Sequence, residues 1–121
     1  MRFGSVVGMD VELAFTGIPV RDLSSGSAFF ARIFGRAADV EVAEDEVMWR
    51  VNDRAWLYVV VDSTRAGNGL VALSVAELDA TLAELASRGI TPDRVEAVGG
   101  GRKATVRDAD GNSVAIIQVP A

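Results

Sequence analysis

The chain reads as an α+β fold made of two copies of one βαβββ plan, and three observations predict it. Val20-Arg21-Asp22-Leu23 and Val75-Ala76-Glu77-Leu78 share one spacing, and each joins a β-type run to a helical one. Each helical run ends on a glycine about a dozen residues on, at Gly35 and at Gly89. Three short strand-like runs then follow each glycine, most of them separated by turn-forming residues.

In the first copy the opening strand is Glu12 to Val20, and a helix follows from near Ser24 to Phe34. Asp22 or Ser24 can cap that helix, because a short oxygen-bearing side chain accepts from the free amides of a first turn. Phe29/Ile33 and Phe30/Phe34 stand four residues apart, which places an aromatic-rich stripe along one side. Gly35 sits where a helix needs a left-handed closing residue. Strands are expected near Asp39–Ala43, Glu46–Asn52 and Ala55–Asp62, with Asn52-Asp53 supplying a hairpin turn. Ser63 to Gly69 is polar and contains glycine, so it reads as a linker.

The second copy opens with a strand over Leu70–Val75. Its helix runs from Ala76-Glu77-Leu78 to about Arg88, with Leu78, Leu82 and Leu85 on one face. Arg88 suits the negative end of that helix's own dipole, and Gly89 closes it. Strands near Arg94–Val98, Lys103–Arg107 and Ser113–Val119 complete the set. Asp108-Ala109-Asp110-Gly111-Asn112 is a strong turn signal between the last two. One module alone would leave an apolar sheet face wet, whereas two modules can share a core. A single domain over 1–121 is therefore expected, with module one about 12–62, linker 63–69 and module two about 70–119.

Composition narrows the function. Half of the 121 residues are hydrophobic and 24% are charged, a globular balance. The formal net charge of −5 works against binding a nucleic-acid backbone. The chain has no cysteine and no histidine. Thiolate and imidazole metal sites, cysteine nucleophiles and serine–histidine catalysis are thereby excluded. A general acid or base would have to be a carboxylate, Tyr58, Lys103 or ordered water. Met1 to Asp10 is too short and weakly apolar for a secretory leader, and no segment has the roughly 18 to 20 apolar residues of a membrane span. A soluble cytoplasmic protein with no membrane partner is the expectation.

The strand-x-Asp/Glu-Leu-helix-Gly pattern occurs twice, and Asp-x-Asp-Gly-Asn precedes the final strand. In that combination the chain resembles the vicinal-oxygen-chelate superfamily, which includes glyoxalase, bleomycin-resistance and extradiol-dioxygenase proteins. The resemblance covers about Glu12 to Val119. It implies two curled, mixed four-stranded sheets around a cavity, with helices outside and two chains paired as a homodimer. In metal-using relatives the ligands come from the first and last strands of each module. Those places fall here on Phe15, on Leu70, on Ala115, and on Leu57 or, with the register slipped by one, Tyr58. None suits a divalent metal, and a lone phenol makes a poor site. No metal and no cofactor are expected.

Other constellations read as structure. Asp108-x-Asp110-x-Asn112 is superficially like a calcium loop, but Ser113 replaces the required glycine and Val119 the closing glutamate. Gly99-Gly100-Gly101, beside Arg102 and Lys103, reads as a flexible loop, with a mobile lid as the alternative. Gly4-Ser5-Val6-Val7-Gly8 has the wrong spacing for a nucleophile elbow. Glu41, Glu44, Asp45 and Glu46 read as a solvated loop.

The aromatic residues carry more information. Met48, Trp49, Arg50, Trp56 and Tyr58 crowd one hairpin, and alternate strand residues face opposite sides. Trp49 and Trp56 read equally well as core beneath the helix or as cavity lining, and Phe15 leans toward the cavity. The candidate ligand-binding set is Phe15, Met48, Trp49, Arg50, Trp56, Tyr58, Leu70 and Ala115. The leading expectation is a metal-free, bleomycin-resistance-type protein that encloses a small hydrophobic or aromatic molecule. One alternative is a lyase, isomerase or epimerase-like enzyme using Glu12, Tyr58 or Arg50. A second is a structural or interaction module whose centre is plugged by Phe15 and Leu70.

Overall fold

A computed structural model describes residues 8–120. Met1 to Val7, and with them most of the Gly4–Gly8 run set aside above, lie outside the described residues. The elements run β1 (Ala14–Val20), α1 (Leu23–Phe34), β2 (Val40–Ala43), β3 (Glu46–Asn52) and β4 (Ala55–Val61) in module one. Module two has β5 (Leu70–Ser74), α2 (Leu78–Ser87), β6 (Arg94–Val98), β7 (Gly101–Arg107) and β8 (Ser113–Gln118). Each module forms a four-stranded sheet, ordered β1-β4-β3-β2 and β5-β8-β7-β6. The first and last strands of each module pair in parallel, and the other neighbours are antiparallel. The fold is thus α+β with two mixed sheets, and neither sheet closes on itself.

Local chemistry explains most boundaries. Ser25 N donates to the Asp22 carboxylate at 2.9 Å, so Asp22 rather than Ser24 caps α1. Gly35 adopts φ 72°, and Arg36 N returns to Ala31 O at 3.0 Å to close the last turn. Gly89 repeats this for α2 at φ 81°, with Ile90 N donating to Leu85 O at 2.9 Å. The first strand begins at Ala14 instead of Glu12. Ala14 N bonds Arg54 O, and β4 starts only at Ala55, so the residues before Ala14 have no ladder partner.

Two expectations need correction. Gly99 and Gly100 both take positive φ, 56° and 82°, while Gly101 already pairs with Val98 in the β6–β7 ladder. The run is therefore a two-residue hairpin turn at Gly99-Gly100 with Gly101 already in β7, in place of the expected flexible loop or lid. Arg88, in turn, does not serve its own helix end. Its guanidinium donates to the carbonyls of Arg32 and Ile33, the free acceptors of the last turn of α1.

That contact is one of several between the modules. Asn112 is fully buried and donates from Nδ2 to Pro19 O at 2.7 Å. Its Oδ1 accepts from Gly67 N at 3.1 Å and Gly69 N at 2.7 Å, so it pins the linker as well. Arg21 meets Asp110 through both its amide and its guanidinium. The helix-facing residues of both sheets, including Ile18, Trp49, Leu57, Val106 and Ile116, belong to one buried cluster with Phe30 and Leu85. Among the described residues no helix is long and apolar enough to cross a membrane.

Candidate functional site

The helices cover one face of each sheet, and alternation leaves the other face open. In module one the paired registers align open-face side chains in rows across the strands. Arg50, Trp56 and Phe15 form one row, and Val40, Met48, Tyr58 and Gly17 form the next. Met48, Trp56 and Tyr58 are half-buried, and Phe15 is 53% exposed. Four large apolar or aromatic groups thus share an accessible surface. Arg50 lies at its rim, its guanidinium 2.9 Å from Asp53.

Tyr58 depends on a missing side chain. A Cβ on Gly17 would overlap the Tyr58 ring, with Cε2 only 2.7 Å away. The ring therefore lies over the glycine of β1. Beyond it opens a trough of about 410 Å³ lined by Gly17, Pro19, Tyr58, Val60, Gly69 and Leu70, with Asp62, Arg65 and Asn68 on its linker side. A second cleft of about 260 Å³ brings Thr16 and Trp56 close to Ala72 and Ser74. The trough thus sets open-face residues of β1 and β4 beside Leu70 at the start of β5.

Module two presents a different surface. Its rows are Arg107, Ser113 and Leu70; then Arg94, Thr105, Ala115 and Ala72; then Glu96, Lys103, Ile117 and Ser74. Ala72, Ser74, Ser113 and Ala115 form a small-residue floor between the larger Leu70 and Ile117, and charged side chains stand on the outer strands. Leu70 is 77% exposed, so neither it nor Phe15 plugs the centre of this chain.

The candidate set therefore divides. Phe15, Met48, Arg50, Trp56 and Tyr58 come together on module one. Leu70 and Ala115 lie on module two, with Leu70 reaching the trough. Trp49 is corrected out of the set, because it faces α1 with no exposed surface. Its ring stacks 5.8 Å from Phe34 and 6.3 Å from Phe30, and its Nε1 donates to Arg36 O at 3.0 Å. The Leu57 or Tyr58 alternative also resolves. Leu57 is buried under the helix, while Tyr58 pairs with Gly17 as Ala115 pairs with Ala72 on the open face.

The residues at these places do not fit a metal. Phe15, Leu70 and Ala115 carry no donor atom, and Tyr58 offers a single phenol oxygen. Among the described residues no three acidic side chains gather as a metal site would require. Glu12 is exposed ahead of β1 and outside the sheet. The roles of Gly17 and Asn112 escaped the sequence reading. For Gly17 and Asn112 the only signal is a glycine mid-strand and an Asp-Gly-Asn turn, whose partners lie far away in the chain.

Two carboxyls are held below their ordinary values, and both support structure. Asp39 accepts from the Arg36 guanidinium at 3.1 Å and from Arg50 N at 2.7 Å, and these bonds lower its pKa, the Arg36 bond most. Asp22 is lowered chiefly by the backbone amide of Ser25 and next by the Ser25 side chain.

No family profile and no curated protein sequence matches the chain. Solved structures do. A glyoxalase/bleomycin resistance protein from Catenulispora acidiphila DSM 44928 is 30% identical, with a TM-score of 0.85 over 92% of this chain and 100% of that one. The chain belongs to the glyoxalase/bleomycin-resistance family. TnmS3, an antibiotic binding protein from Streptomyces sp. CB03234, matches at 22% identity and TM-score 0.71 over 96% of this chain and 100% of its own. The bleomycin resistance determinant encoded on transposon Tn5 matches at 21% and 0.75, covering 92% and 100%. Both share the backbone fold of this chain.

Proposed function

We propose that this family member is a metal-free binding protein that takes a small hydrophobic or aromatic molecule on its open sheet faces. One observation carries the reading: Phe15, Met48, Trp56 and Tyr58 share an accessible face beside a trough of about 410 Å³. A monomeric soluble protein rarely leaves such a surface without a use. Flat rings contribute large contact area at low entropic cost, so a planar apolar ligand fits them best. The absence of donor side chains at the metal positions favours binding over metal chemistry. The antibiotic-binding and bleomycin-resistance relatives provide precedent for that role on this fold. A second copy of the chain, covering the open faces, completes the enclosure that one unclosed pair of sheets lacks.

The enzymatic alternative draws less support. Glu12 lies outside the sheet, Arg50 is paired with Asp53, and Tyr58 alone makes neither a dyad nor a triad. Calorimetric titration of planar apolar compounds, with chelator present, should give saturable binding that changes Trp56 emission. Protein dialysed against buffer should carry no stoichiometric transition metal. A complete lack of binding across the series, or a metal retained in a fixed ratio, would sink the proposal.

A further inference from the structure

Tyr58 stands where the aromatic surface meets the trough. Its row, Gly17 with Tyr58, lies between the Phe15–Trp56 row and the Pro19–Val60 row of β1 and β4. The three atoms nearest a Cβ at Gly17 all belong to Tyr58, and the hydroxyl oxygen is one of them, at 2.5 Å. Because Gly17 itself lines the trough, a hydroxyl held over it stands at the trough floor. No group among the described residues hydrogen-bonds to that hydroxyl, and it is not a buried orphan, so it opens on solvent. The charged lining residues of the trough, Asp62 and Arg65, already serve each other. The Asp62 carboxylate accepts from Arg65 N at 3.2 Å and lies 3.6 Å from its guanidinium. The trough therefore offers a ligand a neutral phenol and no unpaired charge.

We propose that Gly17 is a positioning residue for ligand selection: its missing side chain seats Tyr58 over β1, and the seated hydroxyl hydrogen-bonds a neutral hydroxyl or carbonyl on the planar ligand. The inference rests on the reading of the open faces as the ligand surface. It adds the group that surface recognises and the residue that holds the recognising side chain in place. A phenol donates one hydrogen bond and accepts another, so either oxygen function satisfies it. A ligand that covers Tyr58 displaces water from the hydroxyl. An oxygen on the ligand restores that bond, whereas a hydrocarbon leaves the hydroxyl without a partner. Gly17 is not required by the strand itself, since it pairs in regular register and has no positive φ. A methyl group there would meet only the Tyr58 ring and force it off β1.

Tyr58 is the only tyrosine of the chain, which gives the seat a selective readout without any ligand. In NMR spectra of the full-length protein, the Gly17 Hα protons should be shifted upfield by the ring and show NOEs to it. Ordinary Gly17 shifts with no such NOE would overturn the seat. Binding is read by titrating 2-naphthol and 2-methylnaphthalene, which share a shape and differ in the oxygen. Tyr58→Phe should weaken 2-naphthol about fivefold relative to 2-methylnaphthalene, the value of roughly one net hydrogen bond. In a Gly17→Ala background the same Tyr58→Phe change should cost 2-naphthol little, because the hydroxyl has already left its place. If Tyr58→Phe weakens both probes alike or neither, the hydroxyl reads nothing and the inference falls while the aromatic surface stands. If its cost is the same with alanine at position 17, Gly17 does not position it and the inference falls too. Should neither probe bind, the reading of the open faces fails first and this inference with it.

Discussion

Module one and module two share a strand order and a helix position, yet they complete their structures by different means. Helix α1 is closed by its neighbours in sequence, with Asp22 at one end and Gly35 at the other. Helix α2 has no side-chain cap of its own; Leu78 N instead donates to Gln118 Oε1 at 2.7 Å, forty residues away on β8. The open faces differ as well. Module one shows rings over a glycine, and module two shows small residues flanked by cations. A repeated backbone therefore fixes where side chains point while leaving the outward positions free to take separate tasks.

The largest expected effect comes from two tryptophans on neighbouring strands of module one. Trp49 faces the helix and Trp56 faces the open side, so truncation should separate stability from binding. Trp49→Ala should lower unfolding free energy by about 3–5 kcal/mol, the usual range for a buried aromatic. Trp56→Ala should cost about 1 kcal/mol or less while removing most affinity for a planar ligand. Urea unfolding and calorimetry on both variants measure the two quantities. Similar losses of stability would mean that the hairpin has no functional face.

Next in size is the joint between the modules. Asn112→Leu keeps approximate volume but leaves Pro19 O, the amides of Gly67 and Gly69, and Asp108 without their partner. An expected loss of about 3 kcal/mol follows from stranding several buried polar groups at once. Both modules should still unfold in a single transition, because they share one core. A second transition appearing in the variant would show that the Asn112 bonds, and not the common core, couple the halves.

How much of this was legible follows from where the determinants lie. The repeat, both helices and every strand could be read from local patterns: Asp22, Gly35, Gly89 and the alternating apolar residues act within a few positions of themselves. The assignment of Trp49 could not, since hairpin alternation leaves both faces available until the Phe30 and Phe34 rings are placed. Arg88 was given to its own helix for the same reason. Its acceptors at Arg32 and Ile33 belong to a helix that only the tertiary fold brings alongside. The Gly17–Tyr58 nesting is a register effect across a parallel pair, and no local pattern encodes register.

The smallest effect concerns acid. Asp22 and Asp39, whose carboxyls are held below their ordinary values, both belong to module one. A group whose folded pKa lies below its unfolded value of 3.8 binds more protons when unfolded, so its contribution grows with pH. That contribution is complete above the unfolded value and disappears as pH falls through the lowered folded value. Asp39 holds Arg36 and the amide of Arg50, and Arg36 O in turn accepts the Trp49 indole. Acid should therefore loosen this corner of module one, and Trp49 emission should report it below about pH 3.8. Asp39→Asn cannot titrate and should flatten the pH dependence of that emission, whereas a charge-neutral change in module two such as Thr105→Val should not. An unchanged acid profile in Asp39→Asn would place the sensitive group elsewhere and remove acid lability from the contrast between the modules.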